Sequence, residues 1–130
     1  MQKPTYPVAV VMQRRPALSK WAEEVWEPWS VVLGIEGGAR RLFEKDGVAH
    51  WLHPGFTLVL HNDEAEGYYL NCAGTEPKVF VLWRMEGERG LPVEVTVSSE
   101  EAGRWMDGGH SVDGVPMTEE IFAWVMGTPR

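Results

Sequence analysis

Histidine and carboxylate side chains are the residues of this sequence that could hold a metal ion. The chain has four histidines, and two of them, His50 and His53, stand three positions apart. On a strand that odd spacing puts the two imidazoles on opposite faces, where they cannot chelate together; they could do so if Leu52-His53-Pro54 has left the strand. His61 is followed by acidic residues that could complete a carboxylate–imidazole cluster. These ligand types occur without an established site geometry, so we expect solvated loop residues, no metal site and no cofactor.

Side chains that could act as nucleophiles are few. The single cysteine, Cys72, has no histidine near it in sequence, whereas a reactive thiolate needs a positive or hydrogen-bonding environment. A buried, inert thiol is the simpler interpretation. Ser98 and Ser99 precede two glutamates and fit a helix cap. The sequence has neither a Gly-x-Ser-x-Gly elbow nor a dinucleotide-binding glycine fingerprint, so we expect that the protein is not an enzyme.

Two adjacent arginines followed by tryptophans form the cluster best suited to binding. Arg14 and Arg15 end the first predicted strand, and Trp21, Trp26 and Trp29 follow them. Guanidinium groups pair with carboxylates and stack on aromatic rings, so this cluster could recognise a partner. The alternative is that the arginines form salt bridges with Glu23, Glu24 or the acidic loop at residues 62–67, while the rings fill the core. We predict that at least one of the two arginines belongs to a partner-binding surface.

A second group of polar residues lies on or beside neighbouring strands of the predicted sheet. It consists of His61, Glu64, Asn71 and Arg84. Residues on adjacent strands can meet on one face when their registers agree. We therefore treat these four side chains as a second candidate binding group.

The elements that must position these residues are mostly strands. Runs rich in β-branched and aromatic residues, bounded by turn signals, predict eight strands, at residues 8–12, 25–33, 40–44, 48–52, 56–61, 68–72, 78–84 and 92–97. Pro28 indicates an edge position or a bulge, and Asp46-Gly47 predicts a hairpin. Helices are predicted from Ser98 and from Thr118.

These elements predict an α+β fold with a curved antiparallel sheet or partly open barrel of seven to eight short strands and two C-terminal helices. The whole chain, 1–130, is expected to be a single domain. The strand at 78–84 is expected to be central because apolar residues occupy both of its faces. The apolar stripes predict one shared core, made of Val10, Leu58, Leu60, Phe80, Leu82, Val95, Ile121 and Val125.

Composition limits the partners. The net charge is −7, so a nucleic acid would be repelled on average, and no apolar run reaches the length of a membrane helix. The N-terminal residues lack the apolar stretch of a signal peptide, and one cysteine cannot form an internal disulfide. We therefore expect a cytoplasmic protein that binds neither nucleic acid nor membrane.

Several of these motifs together resemble an uncharacterised bacterial family of small proteins. The resemblance spans nearly the whole chain and rests on four stretches: Val8-x-Val10-x-x-x-Arg14-Arg15 with Trp21 and Trp26, Leu60-His61 with Glu64, Tyr68 and Asn71, Pro77-x-x-Phe80-Val81-Leu82-x-Arg84, and Val115-Pro116-Met117 through Trp124-Val125. Gln13 departs from the pattern, which has an acidic residue before the paired arginines. The resemblance implies a genomic setting beside molybdenum-dependent formate dehydrogenases and their maturation factors, and no assigned activity.

The leading hypothesis is a non-catalytic protein-interaction or accessory module that serves the assembly or regulation of a molybdenum formate dehydrogenase. Its partner would be a redox-enzyme subunit or maturation factor. The first alternative is a small-molecule-binding domain, with a ligand held against the curved sheet. The second alternative is an enzyme whose site has no recognised motif.

Overall fold

The computed structural model describes residues 3–18 and 24–127, and within them the chain forms seven strands and three α-helices. A short 3-10 helix, Asn62–Glu64, precedes the first α-helix. The strands and helices, in chain order within each type, are β1 Thr5–Pro16, β2 Glu24–Leu33, β3 Arg40–Lys45, β4 Val48–Val59, β5 Lys78–Glu86, β6 Arg89–Thr96, β7 Ser111–Pro116, α1 Ala65–Cys72, α2 Ser99–Asp107 and α3 Glu119–Gly127.

The strands form two antiparallel sheets. One has four strands in the order β2-β1-β4-β3, and the other has three in the order β6-β5-β7. Among the described residues neither sheet closes into a barrel. The predicted α+β class and the antiparallel pairing are confirmed. The central position predicted for residues 78–84 is also confirmed, since β5 lies between β6 and β7.

The hairpin turn and the bulge in the four-stranded sheet form where the sequence predicts them. Asp46 and Gly47 both have positive φ, 53° and 82°, as a two-residue type I′ hairpin between β3 and β4 requires. Pro28 lies on an edge strand, at a bulge opposite the Val11–Met12 step of β1, so the predicted edge position and the predicted bulge are both confirmed.

The cap predicted for the first C-terminal helix is confirmed as well. Ser98 caps α2 by accepting a hydrogen bond from the Glu101 amide at 3.1 Å.

Helix α1 is the first of three elements that differ from the prediction. The strand predicted at 68–72 is wrong, because these residues end helix α1. Tyr68, Asn71 and Cys72 are buried while Tyr69 and Leu70 are exposed, which is helical rather than alternating periodicity. The helix count is therefore three rather than two.

Strand β7, at residues 111–116, was not predicted. It contains Asp113, Gly114 and Pro116, all of them residue types that are depleted in strands, and it pairs with β5 while Val115 packs into the main core. A further difference lies in β4, which is one strand across residues 48–59, because Gly55 with φ 96° lets the chain continue after Pro54. The expected helical turn at 17–24 lies largely outside the described residues.

The main core lies between the two sheets and the helices. Five of the residues predicted to share this core are part of it: Val10, Leu58, Leu60, Ile121 and Val125. Val95 is partly buried and packs against it. Leu82 is 7% exposed but alternates with the core-facing Val79 and Val81, so it faces the other side of β5. Phe80 shares that side and is half-buried.

The two sheets approach closely at Gly90 in β6. A Cβ at this position would lie 2.7 Å from Trp26 Cβ in β2 and 3.3 Å from the Trp83 ring. Both neighbours are part of, or packed against, the main core. Glycine is thus the residue that allows the sheets to reach this separation.

We predict that Gly90→Ala lowers the free energy of unfolding by about 1–3 kcal/mol, because overpacking forces core side chains or backbone to shift. The Trp26 Cβ is fixed by its own backbone and cannot rotate away. Gly38→Ala is the matched control, since nothing lies within 4 Å of its added Cβ. Urea denaturation of both variants measures the effect, and equal stabilities would contradict the close approach of the sheets.

Candidate functional site

The four-stranded sheet has one face turned away from the core. Along β1, Val8, Val10 and Met12 point into the main core, so Ala9 and the alternate residues after it point to the opposite side. We call that opposite side the outer face. Within the described residues, the extensive contacts of this sheet with other elements are with the three-stranded sheet on the core side.

A row of four side chains crosses the outer face, one from each strand. Gln13 of β1 pairs with Glu27 of β2 and with His50 of β4, and His50 pairs with Phe43 of β3. The Gln13 Nε2 donates to Glu27 Oε2 at 3.1 Å. His50 Nε2 lies 2.8 Å from Gln13 Oε1. The register therefore joins the first three members of the row by hydrogen bonds.

The row fixes the proton on His50. Arg15 Nε donates to Glu27 Oε2 at 2.6 Å, and this bond lowers the pKa of the Glu27 carboxyl, which remains an ionised acceptor. A carboxylate only accepts, so it orients the Gln13 amide nitrogen toward β2 and the amide oxygen toward His50. His50 must then donate from Nε2, which leaves the Nδ1 lone pair to accept a proton or hydrogen bond.

Two aromatic rings flank this imidazole. The Trp29 ring centroid lies 5.0 Å from that of His50, and the Phe43 centroid lies 4.7 Å away at an edge-on angle of 68°. Trp29 is the extra residue of the β2 bulge, which lets its side chain reach across β1. Burial beside these rings lowers the pKa of His50 and favours the neutral imidazole. Trp29 and Phe43 remain 51% and 44% exposed.

The two arginines predicted as a binding pair point to opposite sides of β1. Arg15 lies on the outer face with Glu27, whereas Arg14 lies on the core side and binds Glu44, with Glu24 at 3.7 Å. Both arginines thus make ion pairs, and of these the contact between Arg14 and Glu24 is one that the alternative interpretation named. A role in partner binding stays a prediction for both.

The predicted tryptophans are divided in the same way. Trp26 is 7% exposed and belongs to the main core, where a recognition surface could not use it. Trp21 lies outside the described residues. Trp29, which we placed in the same sequence cluster, is the tryptophan that the structure leaves at the surface.

The second predicted group comes together only in part. Glu64 accepts from Ser98 Oγ at 2.6 Å and binds Arg104, and His61 donates its backbone N–H to the Tyr68 hydroxyl at 2.7 Å. These contacts tie the start of α1 to α2 and the end of β4. Arg84 instead pairs with Glu86 at 2.7 Å, near the far end of β5.

Asn71 joins three segments of backbone. Its Nδ2 donates to the Lys78 carbonyl at 2.7 Å and to the Val97 carbonyl at 2.8 Å, and its Oδ1 accepts from the Lys78 N–H at 2.9 Å. Arg84 lies six positions beyond Lys78 on the same strand, about 20 Å from the Lys78 backbone that Asn71 binds. Asn71 is 7% exposed, and its visible role is structural.

The cross-strand row was missed as a site because its members are far apart in sequence. One pair in the row could be predicted from the sequence. Phe43 and His50 are equidistant from the Asp46-Gly47 turn, so the hairpin register alone pairs them. The Gln13 and Glu27 contributions depend on which strands become neighbours and on the β2 bulge. Pro28 indicates the bulge, but the choice of neighbouring strands and their register is not encoded in a local pattern.

Two concave sites lie elsewhere on the surface. The first, of about 410 Å³, is lined by Cys72, Gly74, Pro77, Met117, Glu119 and Phe122. The second, of about 470 Å³, lies where the 34–37 segment meets β1 and β4. Cys72 is buried, as its sequence context predicted. In residues 3–18 and 24–127, no three His, Cys, Asp or Glu side chains are grouped to hold a metal ion.

The fold and the row define a small two-sheet α+β domain with an aromatic surface. Over residues 7–127 the chain belongs to the family described as "Protein of unknown function (DUF3305)". This confirms the resemblance to an uncharacterised family. No curated protein and no solved structure matches the chain. None of the described helices is long and apolar enough to cross a membrane.

We predict that His50 is the Nε2–H tautomer at neutral pH and titrates below the ordinary value of about 6.5. Long-range ¹⁵N–¹H NMR of the imidazole measures both properties. Gln13→Ala removes the acceptor that selects the tautomer and should abolish the preference, whereas Arg41→Ala on the neighbouring strand should leave it. An Nδ1–H form in the unsubstituted protein would contradict the hydrogen-bonded row.

We predict that Asn71→Ala lowers the free energy of unfolding by about 3 kcal/mol, because it leaves three backbone groups without their partner. Asn62→Ala is the control: this residue is exposed on the 3-10 helix and its loss should change stability by less than about 0.5 kcal/mol. Urea denaturation compares them. Similar losses in both variants would show that the Asn71 bonds contribute little.

Proposed function

We propose that the protein is an interaction module that binds a protein partner through the outer face of its four-stranded sheet. The observation that carries this proposal is the exposed ring of Trp29 beside His50 and Phe43, on the side of the sheet opposite the main core. Aromatic side chains dominate the energy of protein interfaces, and tryptophan is the type most enriched at their hot spots.

Rigidity supports the proposal. The row from Arg15 through Glu27 and Gln13 holds the imidazole in one orientation, and the flanking rings restrict it further. A surface held in its binding geometry loses less conformational entropy when a partner docks. The Nδ1 lone pair, which the bond from Nε2 to Gln13 leaves unprotonated, offers the partner one directional hydrogen-bond acceptor.

Charge favours an acidic partner. Register places three basic residues, Arg15, Arg40 and Lys45, on the outer face against one glutamate, Glu27, although the whole chain has a net charge of −7. Complementary charge steers association and selects among partners. The occupant we assign to the outer face is therefore a protein segment with apolar side chains and acidic neighbours.

The identity of the partner is proposed on the resemblance alone. A bacterial protein encoded beside a molybdenum-dependent formate dehydrogenase would act in the cytoplasm on a subunit or maturation factor of that enzyme. An accessory module of this kind needs a surface for recognition and no catalytic residues of its own. The outer face meets that requirement.

A small-molecule-binding function is the second candidate, and the cavity beside Cys72 favours it. The volume of about 410 Å³ lies within the size range of ligand sites. Met117 and Phe122 give it an apolar lining, and Glu119 adds one acidic group. This cavity is formed by α1, α3 and the segments beside them, away from the outer face, so substitutions separate the two functions.

We predict that Trp29→Ala and Phe43→Ala each weaken partner binding about tenfold or more, in the range of interface hot spots. Tyr69→Ala is the matched control, because Tyr69 is an aromatic residue of α1 with 64% exposure on another surface. The partner is isolated from native lysate, identified by mass spectrometry and purified, and its affinity for each variant is measured by calorimetry. Loss with Tyr69→Ala alone would move the binding surface to the helices.

A further inference from the structure

The two sheets have four edge strands, and three of them contain a proline. Pro28 interrupts β2, Pro92 lies in β6 and Pro116 ends β7. Proline removes a backbone donor, and its presence protects an edge from pairing with another chain. The fourth edge, β3, has no proline, and all six of its residues are exposed.

The hairpin geometry shows which backbone groups of β3 are unpaired. Asp46 and Gly47 form a two-residue type I′ turn, so Lys45 and Val48 make the hydrogen-bonded closing pair. The next pair, Glu44 with Ala49, is then the non-hydrogen-bonded kind. The N–H and C=O of Glu44 consequently point away from β4, toward the open edge of the sheet.

The side chains of this edge are mainly basic. Arg40, Arg41 and Lys45 outnumber Glu44, whose carboxylate is already bound by Arg14 and lies 3.6 Å from Arg41. The edge therefore carries net positive charge in an acidic protein. An approaching strand with acidic side chains would be attracted, and a basic one would be repelled.

We propose that β3 accepts an extended acidic segment of the partner protein as a fifth strand of the sheet. This inference rests on the proposed function and specifies how the partner is held. The added strand extends the cross-strand row, placing an apolar side chain beside Phe43 on the outer face. Main-chain hydrogen bonds supply affinity, and alternate side chains supply specificity.

A short synthetic peptide with one central valine and glutamate at the flanking positions is the probe, because Arg40 and Lys45 lie on the face of Phe43 and Arg41 lies on the opposite face. The same peptide with lysine for glutamate is its control. NMR of the ¹⁵N-labelled protein should show shifts confined to β3 and the adjoining row, together with slower hydrogen exchange of the Glu44 amide. The lysine peptide should bind about tenfold more weakly. Equal binding of both peptides, or shifts elsewhere, would overturn the proposal.

Two variants at one position test the backbone directly. Glu44→Pro removes the outward N–H, and Glu44→Ala removes the same carboxylate while keeping that N–H. Peptide binding should be lost in Glu44→Pro and retained in Glu44→Ala, with the β4 amide spectrum unchanged in both. Binding retained by a folded Glu44→Pro variant would contradict strand addition.

The same variants separate this inference from the proposed function. If the purified partner binds Glu44→Pro normally but loses affinity for Trp29→Ala, the outer face is the interface and strand addition fails. If neither substitution weakens binding, both proposals fail. A concentration-dependent dimer that Glu44→Pro abolishes would assign the edge to a second copy of the chain and overturn the acidic-segment proposal.

Discussion

Strand β1 is paired on both sides, and the alternation of its side chains organises both surfaces of the four-stranded sheet. Its even-numbered residues from Val8 to Met12 enter the main core, where they pack against residues of the other sheet and of the helices. Its odd-numbered residues face outward, and Gln13 occupies the centre of the polar row. A shift of one residue in register would exchange the two sets and destroy the core and the outer surface together.

The outer face combines three common structural features: cross-strand pairs, a β-bulge and an ion pair. Cross-strand pairing places Glu27, Gln13 and His50 side by side, and the bulge that contains Trp29 brings an indole over the imidazole. The ion pair with Arg15 keeps Glu27 ionised, and that charge determines the orientation of a neutral amide and then of a neutral ring. A single arginine thus acts on the surface histidine through two intervening residues, without touching it.

Local chemistry made much of the fold predictable. The Asp46-Gly47 hairpin, the bulge at Pro28 and the Ser98 cap each follow from the backbone preference of a few adjacent residues. The segment at 68–72 misled the prediction because Tyr-Tyr-Leu has strand propensity. Burial of Tyr68, Asn71 and Cys72 on one helix face outweighed that propensity. Strand β7 was missed because its pairing partner, and not its own composition, makes it a strand.

The candidate site was harder to predict, because its residues are brought together by sheet order and register. Arg14 and Arg15 are adjacent in sequence but lie on opposite faces, while Gln13 and His50 are distant and share a hydrogen bond. Proximity along the chain therefore grouped Trp26, which lies in the core, with Trp29, which lies at the surface.

Hydroxyl-radical footprinting of the complex with its purified partner tests the assignment of the binding surface most directly. The account predicts that Trp29 and Phe43 are labelled in the free protein and protected in the complex, while exposed Tyr69 and Met126 are labelled equally in both. Protection of Tyr69 and Met126, with Trp29 still labelled in the complex, would contradict it and place the interface on the helices.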